Sequence, residues 1–247
     1  MLNVPASFLA AIILACSLWG MMVGSARAEN PENDLGSWVN ANSTVRFSDR
    51  WSVFAQVEVR HWEFASNLNE ILLRGAGHYD FSPRAMGGLG YVYVDFRPFD
   101  DGDNGSRDII ENRLYQQFAI KQAWARATFE HRFRLEQRWF DKTRVDDYRP
   151  GETKYSNRGR YRLQVIIPLN HESIQPGSYF VNVNNETFLN VGDDEKVFDQ
   201  NRLAFAGGHQ FTTDANLQLG LLWQARRSAD FFRLQFYYTH NFDLRKH

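Results

Sequence analysis

The chain carries histidines at 61, 78, 131, 171, 209, 240 and 247, and imidazole is the side chain best suited to acid–base work near neutral pH. A lipid or peptide hydrolase would need one of them beside an activated serine or an acid. His61, His131, His209 and His240 share the parity of their apolar neighbours, as a hydrolase working at a lipid-facing wall would require. None comes with a Gly-x-Ser-x-Gly elbow or another nucleophile pattern, so the histidines do not predict an enzyme. A second candidate is the stretch 100–111. Asp100, Asn104, Asp108 and Glu111 fall at positions one, five, nine and twelve of a calcium loop, with Gly105 at six. Position three is Gly102 instead of an oxygen donor, and no helices are expected on either side. Turn chemistry accounts for so many Asp, Asn and Gly residues without a metal. There is no zinc cluster, phosphate loop or nucleic-acid platform, and no cofactor is expected.

The strongest chemical signal is charge at a fixed spacing. In 123–139, Arg126, Thr128, Glu130, Arg132, Arg134, Glu136 and Arg138 take every second position, and Ala127, Phe129, His131, Phe133, Leu135 and Trp139 lie between them. Period two is a strand with one charged and one mostly apolar face. The same division returns where Arg158, Arg160, Arg162 and Gln164 oppose Tyr161, Leu163, Val165 and Ile167. Glu111, Arg113, Glu186 and Arg202 extend the charged set. If that face is enclosed it gathers six acids, Glu58 and Glu70 included, against twelve arginines, Arg74, Arg226 and Arg233 included. Two readings follow. Opposite charges on neighbouring strands can fill a narrow barrel with ion pairs. Alternatively, surplus arginine lines a narrow pore that prefers anions.

The elements that must position these residues are strands over 37–47, 51–63, 69–81, 85–96, 110–121, 123–140, 155–168, 178–190, 198–211, 215–226 and 230–242. Most exceed the five or six residues usual in soluble proteins and suit a tilted bilayer crossing. Short connections at 48–50, 82–84, 121–122 and 212–214 alternate with longer, Asp- and Gly-rich ones at 97–109, 141–154 and 191–197. That is the rhythm of an outer-membrane barrel, with short periplasmic turns and longer outer loops. Trp51, Tyr79, Trp139, Tyr179, Trp223 and Phe242 fall near the ends of apolar faces, as an interfacial girdle would. Alternation does not say which face points inward, and a soluble lipocalin-like barrel would reverse it. Strand length and hairpin rhythm favour the membrane version. We therefore expect an all-β, single antiparallel up-and-down transmembrane barrel of 10–12 strands, twelve fitting the even-number habit. The eleven segments also put residue 37 at the long-loop end.

Residues 1–28 read as a signal peptide: an apolar core over 8–23 precedes Ala26-Arg27-Ala28, the small-x-small cleavage pattern. The domain expected after it spans 29–247. Its 27 basic and 29 acidic residues give a net charge of −2, which excludes a globally basic nucleic-acid binder. Cleavage also removes the single cysteine, Cys16, so no disulfide framework is expected. Aromatics at 15% with a mean hydropathy of −0.49 suit a chain whose polar half faces water inside a barrel.

Glu111-Asn112-Arg113-Leu114-Tyr115-Gln116-Gln117, the run 130–139, Asn185-Glu186-Thr187-Phe188 and Phe198-Asp199-Gln200-Asn201-Arg202-Leu203 stand in this order along the chain. In these motifs, over about 37–242, the chain resembles the outer-membrane proteins of domain of unknown function 2490. The resemblance implies a barrel in the bacterial outer membrane and supplies no activity or catalytic residue. The expected partners are outer-membrane lipid and lipopolysaccharide, the barrel-assembly machinery and small anionic solutes. The expected role is structural, in envelope maintenance; a narrow anion-preferring channel is the alternative, ahead of a lipid hydrolase or a soluble binding barrel.

Overall fold

The computed structural model describes residues 35–98, 109–142, 153–192 and 196–245. The leader, its cleavage point and most of 100–111 lie outside the described residues. Every regular element among them is a strand: β1 (Gly36–Arg46), β2 (Trp51–Glu63), β3 (Ser66–Ser82), β4 (Ala85–Phe96), β5 (Ile109–Trp124), β6 (Ala127–Lys142), β7 (Thr153–Pro168), β8 (Tyr179–Val191), β9 (Phe198–Gln210), β10 (Ala215–Arg226), β11 (Asp230–His240) and β12 (Phe242–Asp243). No described helix is long and apolar enough to cross a membrane. Each strand from β1 to β10 pairs with the next in sequence, and β11 also pairs with β1, which closes the sheet into a barrel.

The wall is eleven strands round. In a meander, successive strands reverse direction, so with an odd count the first and last strands run the same way. The closing pair is accordingly parallel, from Gly36↔Arg233 to Asn42↔Thr239. The expected all-antiparallel wall is corrected at this one seam. The twelfth strand prolongs β11 beyond Asn241 and continues the parallel pairing at Val45↔Phe242. Asn241 bridges the gap: its Oδ1 accepts the Thr44 N–H at 3.1 Å, while its own N–H donates to the Asp214 carbonyl at 2.9 Å. Gly36 lies at the long-loop end and Asp243 at the opposite, short-turn end. A side chain at Gly36 would meet the His61 and Trp62 carbonyl oxygens of β2 at 2.5 and 2.6 Å, so the start of β1 requires glycine there.

The β5–β6 hairpin differs from expectation in position. The strands run through 121–122 and turn at Ala125-Arg126, with Trp124 opposite Ala127. Ala125 takes a positive φ of 51°, a conformation that costs an L-residue free energy. The β2–β3 turn likewise places Ala65 at a φ of 56°.

Exposure settles which face is enclosed. Phe205, Leu219 and Phe232 stand 57%, 54% and 51% exposed on the outside, whereas Arg158 and Arg233 are 4% and 3% exposed on the inside. The wall therefore encloses its charged parity and turns its apolar parity outward, the reverse of a lipocalin-like barrel. The outer surface carries aromatics at both ends: Trp51 packs on Tyr79 and Tyr79 on Phe81 near the short turns, with centroids 4.9 and 5.2 Å apart, and Trp139 on Tyr155 at 5.4 Å near the long loops. Polar residues on this face are paired across strands. Gln116 and Gln137 exchange hydrogen bonds at 3.0 and 3.2 Å, and Asn201 donates to Thr187 at 2.9 Å.

The parallel seam is directly testable. Val39 and Phe236 are register partners on the outward face. In a Cys16→Ser chain, a Val39→Cys/Phe236→Cys pair should oxidise to an intramolecular cross-link, seen as a shift in electrophoretic mobility. Val39→Cys with Gln218→Cys should give none; the reverse result would place β1 elsewhere.

Candidate functional site

The inward residues of β5 to β9 form continuous cross-strand rows. One runs Gln117↔Arg134↔Arg160↔Phe188, and its neighbour Ala119↔Arg132↔Arg162↔Glu186↔Arg202. A two-residue period along each strand and this register across strands place every second residue of β6 and β7 on the lumen. Of the charged residues singled out by spacing, Glu111, Arg113, Glu130, Arg132, Arg134, Arg138, Arg158, Arg160, Arg162, Glu186 and Arg202 line one internal cavity of about 1140 Å³, and Glu136 is fully buried beneath Arg158 and Arg160. Arg126 does not. It sits in the β5–β6 turn, because the strand pairing ends at Trp124 and Ala127.

Carboxylates in this lumen are shared. Glu136, wholly buried, accepts from Arg158 Nε and Nη2 at 2.9 and 2.6 Å and from Arg160 Nη1 at 2.5 Å. Glu186 accepts from Arg160 at 2.9 and 3.1 Å and from Arg132 at 2.7 Å. Glu111 takes two bonds from Arg113, at 2.5 and 2.7 Å, and another from Arg138 at 2.5 Å. Arg60 bridges Glu58 and Glu70, and Arg162 donates to Glu130 at 2.5 Å. Isolated buried ions are costly, and sharing supplies each oxygen with donors and each guanidinium with an anion. Aromatic faces take up the rest of the guanidinium surface. Arg60 lies 3.9 Å over Trp38, Arg134 4.2 Å over Tyr115, and Arg160 4.4 Å over Phe188.

The wall beside β6 also carries an apolar patch. Leu72, Ala76, Val92, Val94 and Tyr115 form an apolar cluster on the inner face of β3, β4 and β5, with Phe54 and Phe96 against it. This apolar patch is set among charges: Glu70 and Arg74 share the inner face of β3, and Glu111 and Arg113 that of β5. Sequence parity missed these partners because β4 is apolar on both faces. It also missed Arg60, whose parity continues from Gln56 and Glu58 and could have been read.

The other candidates fall out as follows. Glu111 is engaged by two arginines, while Asp100, Asn104 and Asp108 lie outside the described residues. Among the described residues no cluster of His, Cys, Asp or Glu could hold a metal. His131, His209 and His240 stack on Tyr161, Tyr179 and Phe242, as outer-wall aromatics. His78 is lumenal and meets Gln117 at 2.9 Å. Two serine–histidine contacts exist: Ser37 Oγ to His61 Nδ1 at 3.4 Å and Ser178 Oγ to His171 Nδ1 at 3.2 Å. Both hydroxyls are buried and accept turn N–H groups, Ser37 from Ala65 and Ser178 from Gln175. His247 lies outside the described residues.

A family model described as protein of unknown function (DUF2490) matches residues 35–242. An uncharacterized protein of Methylorubrum extorquens is 29% identical over 130 residues, which is 51% of this chain and 54% of that protein. The chain therefore spans about half the length of that curated relative. No solved structure matches the chain.

Removing one member of a shared cluster should strand the others. Glu136→Gln is expected to lower stability by about 3–5 kcal/mol, read as a lower urea midpoint in detergent. Lys121→Met, which breaks an exposed 3.7 Å pair with Glu130, should change it by less than about 1 kcal/mol. Equal effects would contradict the shared-carboxylate account.

Proposed function

Starting from a chain that belongs to the DUF2490 family and closes into a barrel, we propose an integral outer-membrane protein, exported by a cleaved leader, that catalyses no reaction. The observation that carries this reading is the division of faces: apolar and aromatic side chains stand bare outside, and arginine and glutamate are enclosed. Bare apolar surface over a whole barrel wall calls for lipid. An arginine facing hydrocarbon at mid-depth would cost about 2–4 kcal/mol, which the inward placement avoids. Lipid and lipopolysaccharide are then its surroundings, and the barrel-assembly machinery its route in.

The role we assign is structural, in maintaining the envelope, with ion pairs bracing a narrow lumen. Passage of small anions is the second reading. It is favoured by arginines that lack a close carboxylate among the described residues: Arg74 donates to Gln56 at 2.5 Å, and Arg202 stacks 4.8 and 4.7 Å from Trp38 and Phe188. Against catalysis stand the occupied, buried hydroxyls of Ser37 and Ser178.

Unheated protein from the outer-membrane fraction should migrate as a folded barrel, and heating should slow it. Recovery from the soluble periplasmic fraction would overturn the membrane assignment. In planar bilayers the structural reading predicts silence and the second reading small anion-selective steps. Large cation-selective steps would discard both. Lipid turnover abolished by His61→Ala would restore the enzyme.

A further inference from the structure

We propose that the lumen contains a binding site for a small oxyanion, formed by Arg74, Arg134 and Tyr115. The inference rests on the enclosed lumen described above and does not require that solutes pass through it.

Three observations carry it. The first is a set of donors with nothing to donate to. Arg134 is 5% exposed and Tyr115 1% exposed, yet the Arg134 Nε and Nη1, the Tyr115 hydroxyl and the Arg74 Nε have no hydrogen-bond partner among the described residues. Buried polar groups are nearly always satisfied, so a cluster of orphaned donors points to a missing acceptor. The second is the absence of a local carboxylate to fill that role. The nearest to Arg134 is Glu136, at 3.9 Å, and its oxygens are already held by Arg158 and Arg160. Arg74, Arg134 and Tyr115 line the same cavity, and Tyr115 rests on Gly90, whose register partner Ala76 is two residues from Arg74 on β3. An anion between them would accept from all three.

The third observation is that the donors are held in place. Tyr115 lies flat on Gly90, where a Cβ would fall 2.3 Å from its ring, so only glycine permits this seat. The Arg134 guanidinium stacks on the same ring at 4.2 Å, and its Nη2 is fixed by Gln117 Oε1 at 2.7 Å. Gln117 is in turn tied to His78 at 2.9 Å, and Arg74 is tied by Gln56. Donors fixed before binding lose little entropy on binding. Forked guanidinium groups and a hydroxyl match the several lone pairs of a phosphate- or sulfate-like oxyanion better than the single sphere of a halide.

The test uses the full-length, folded protein in non-ionic detergent at low ionic strength. Inorganic phosphate and sulfate are titrated by calorimetry, with chloride at matched ionic strength as control. One saturable site per barrel is expected for the oxyanions, at least tenfold tighter than for chloride. Arg134→Gln and Arg74→Gln should each weaken it tenfold or more. Tyr115→Phe keeps the stacked ring and removes only the hydroxyl, so it should weaken binding severalfold while leaving the melting temperature within a few degrees. Lys121→Met, at the exposed rim, should leave it unchanged. Oxyanion binding no tighter than chloride, or undiminished in Tyr115→Phe and Arg74→Gln, would overturn the site. Binding in a barrel that stays silent in bilayers keeps the site and removes the passage reading.

Discussion

Enclosure of arginine is the constraint on which this structure depends. A closed sheet sends successive residues to two separate environments, and the sequence assigns guanidinium groups to one of them on β2, β3, β5, β6, β7, β9, β10 and β11. A guanidinium retains its charge under any condition the protein meets, so it must find water, an anion or an aromatic face. The lumen provides the last two in an ordered way: each of Glu111, Glu136 and Glu186 is gripped by two arginines, and Trp38, Tyr115 and Phe188 offer their faces to others. Stability and any dealings with solutes draw on the same groups.

The ion pairs and the apolar patch of the lumen do different work. On the β6–β8 side, shared carboxylates couple strands that are not all adjacent, as when Arg132 on β6 reaches Glu186 on β8. On β3 and β4, Leu72, Val92 and Val94 pack against one another between the lumenal charges of β3 and β5. The orphaned donors gather at the edge of that patch, at Tyr115.

Much of the wall was legible in the amino-acid order. Alternation in β6, β7, β10 and β11 fixed their faces, and predicted strand ends fall within a few residues of those observed for most elements. The β5–β6 turn was not legible, because Ala125-Arg126 carries none of the Gly, Asn or Asp that signal a two-residue hairpin, while Lys121-Gln122 only interrupts an apolar run. Arg126 was assigned to the lumen for that reason. The inward face of β4 was hidden by its glycines, which carry no parity, and by Val92, Val94, Leu89 and Tyr91, which make both faces apolar.

By itself the sequence determined that this is a chain of long amphipathic strands with its charge on one parity, because side-chain alternation is a local property of extended backbone. Which parity turned inward, and how the ends met, were decisions of the tertiary structure. Eleven strands leave the first and last running the same way, and only closure shows that they pair in parallel. Likewise, no spacing rule says which guanidinium shares a carboxylate and which goes without. That depends on the stagger of strands around the barrel, where residues far apart in sequence meet across a row.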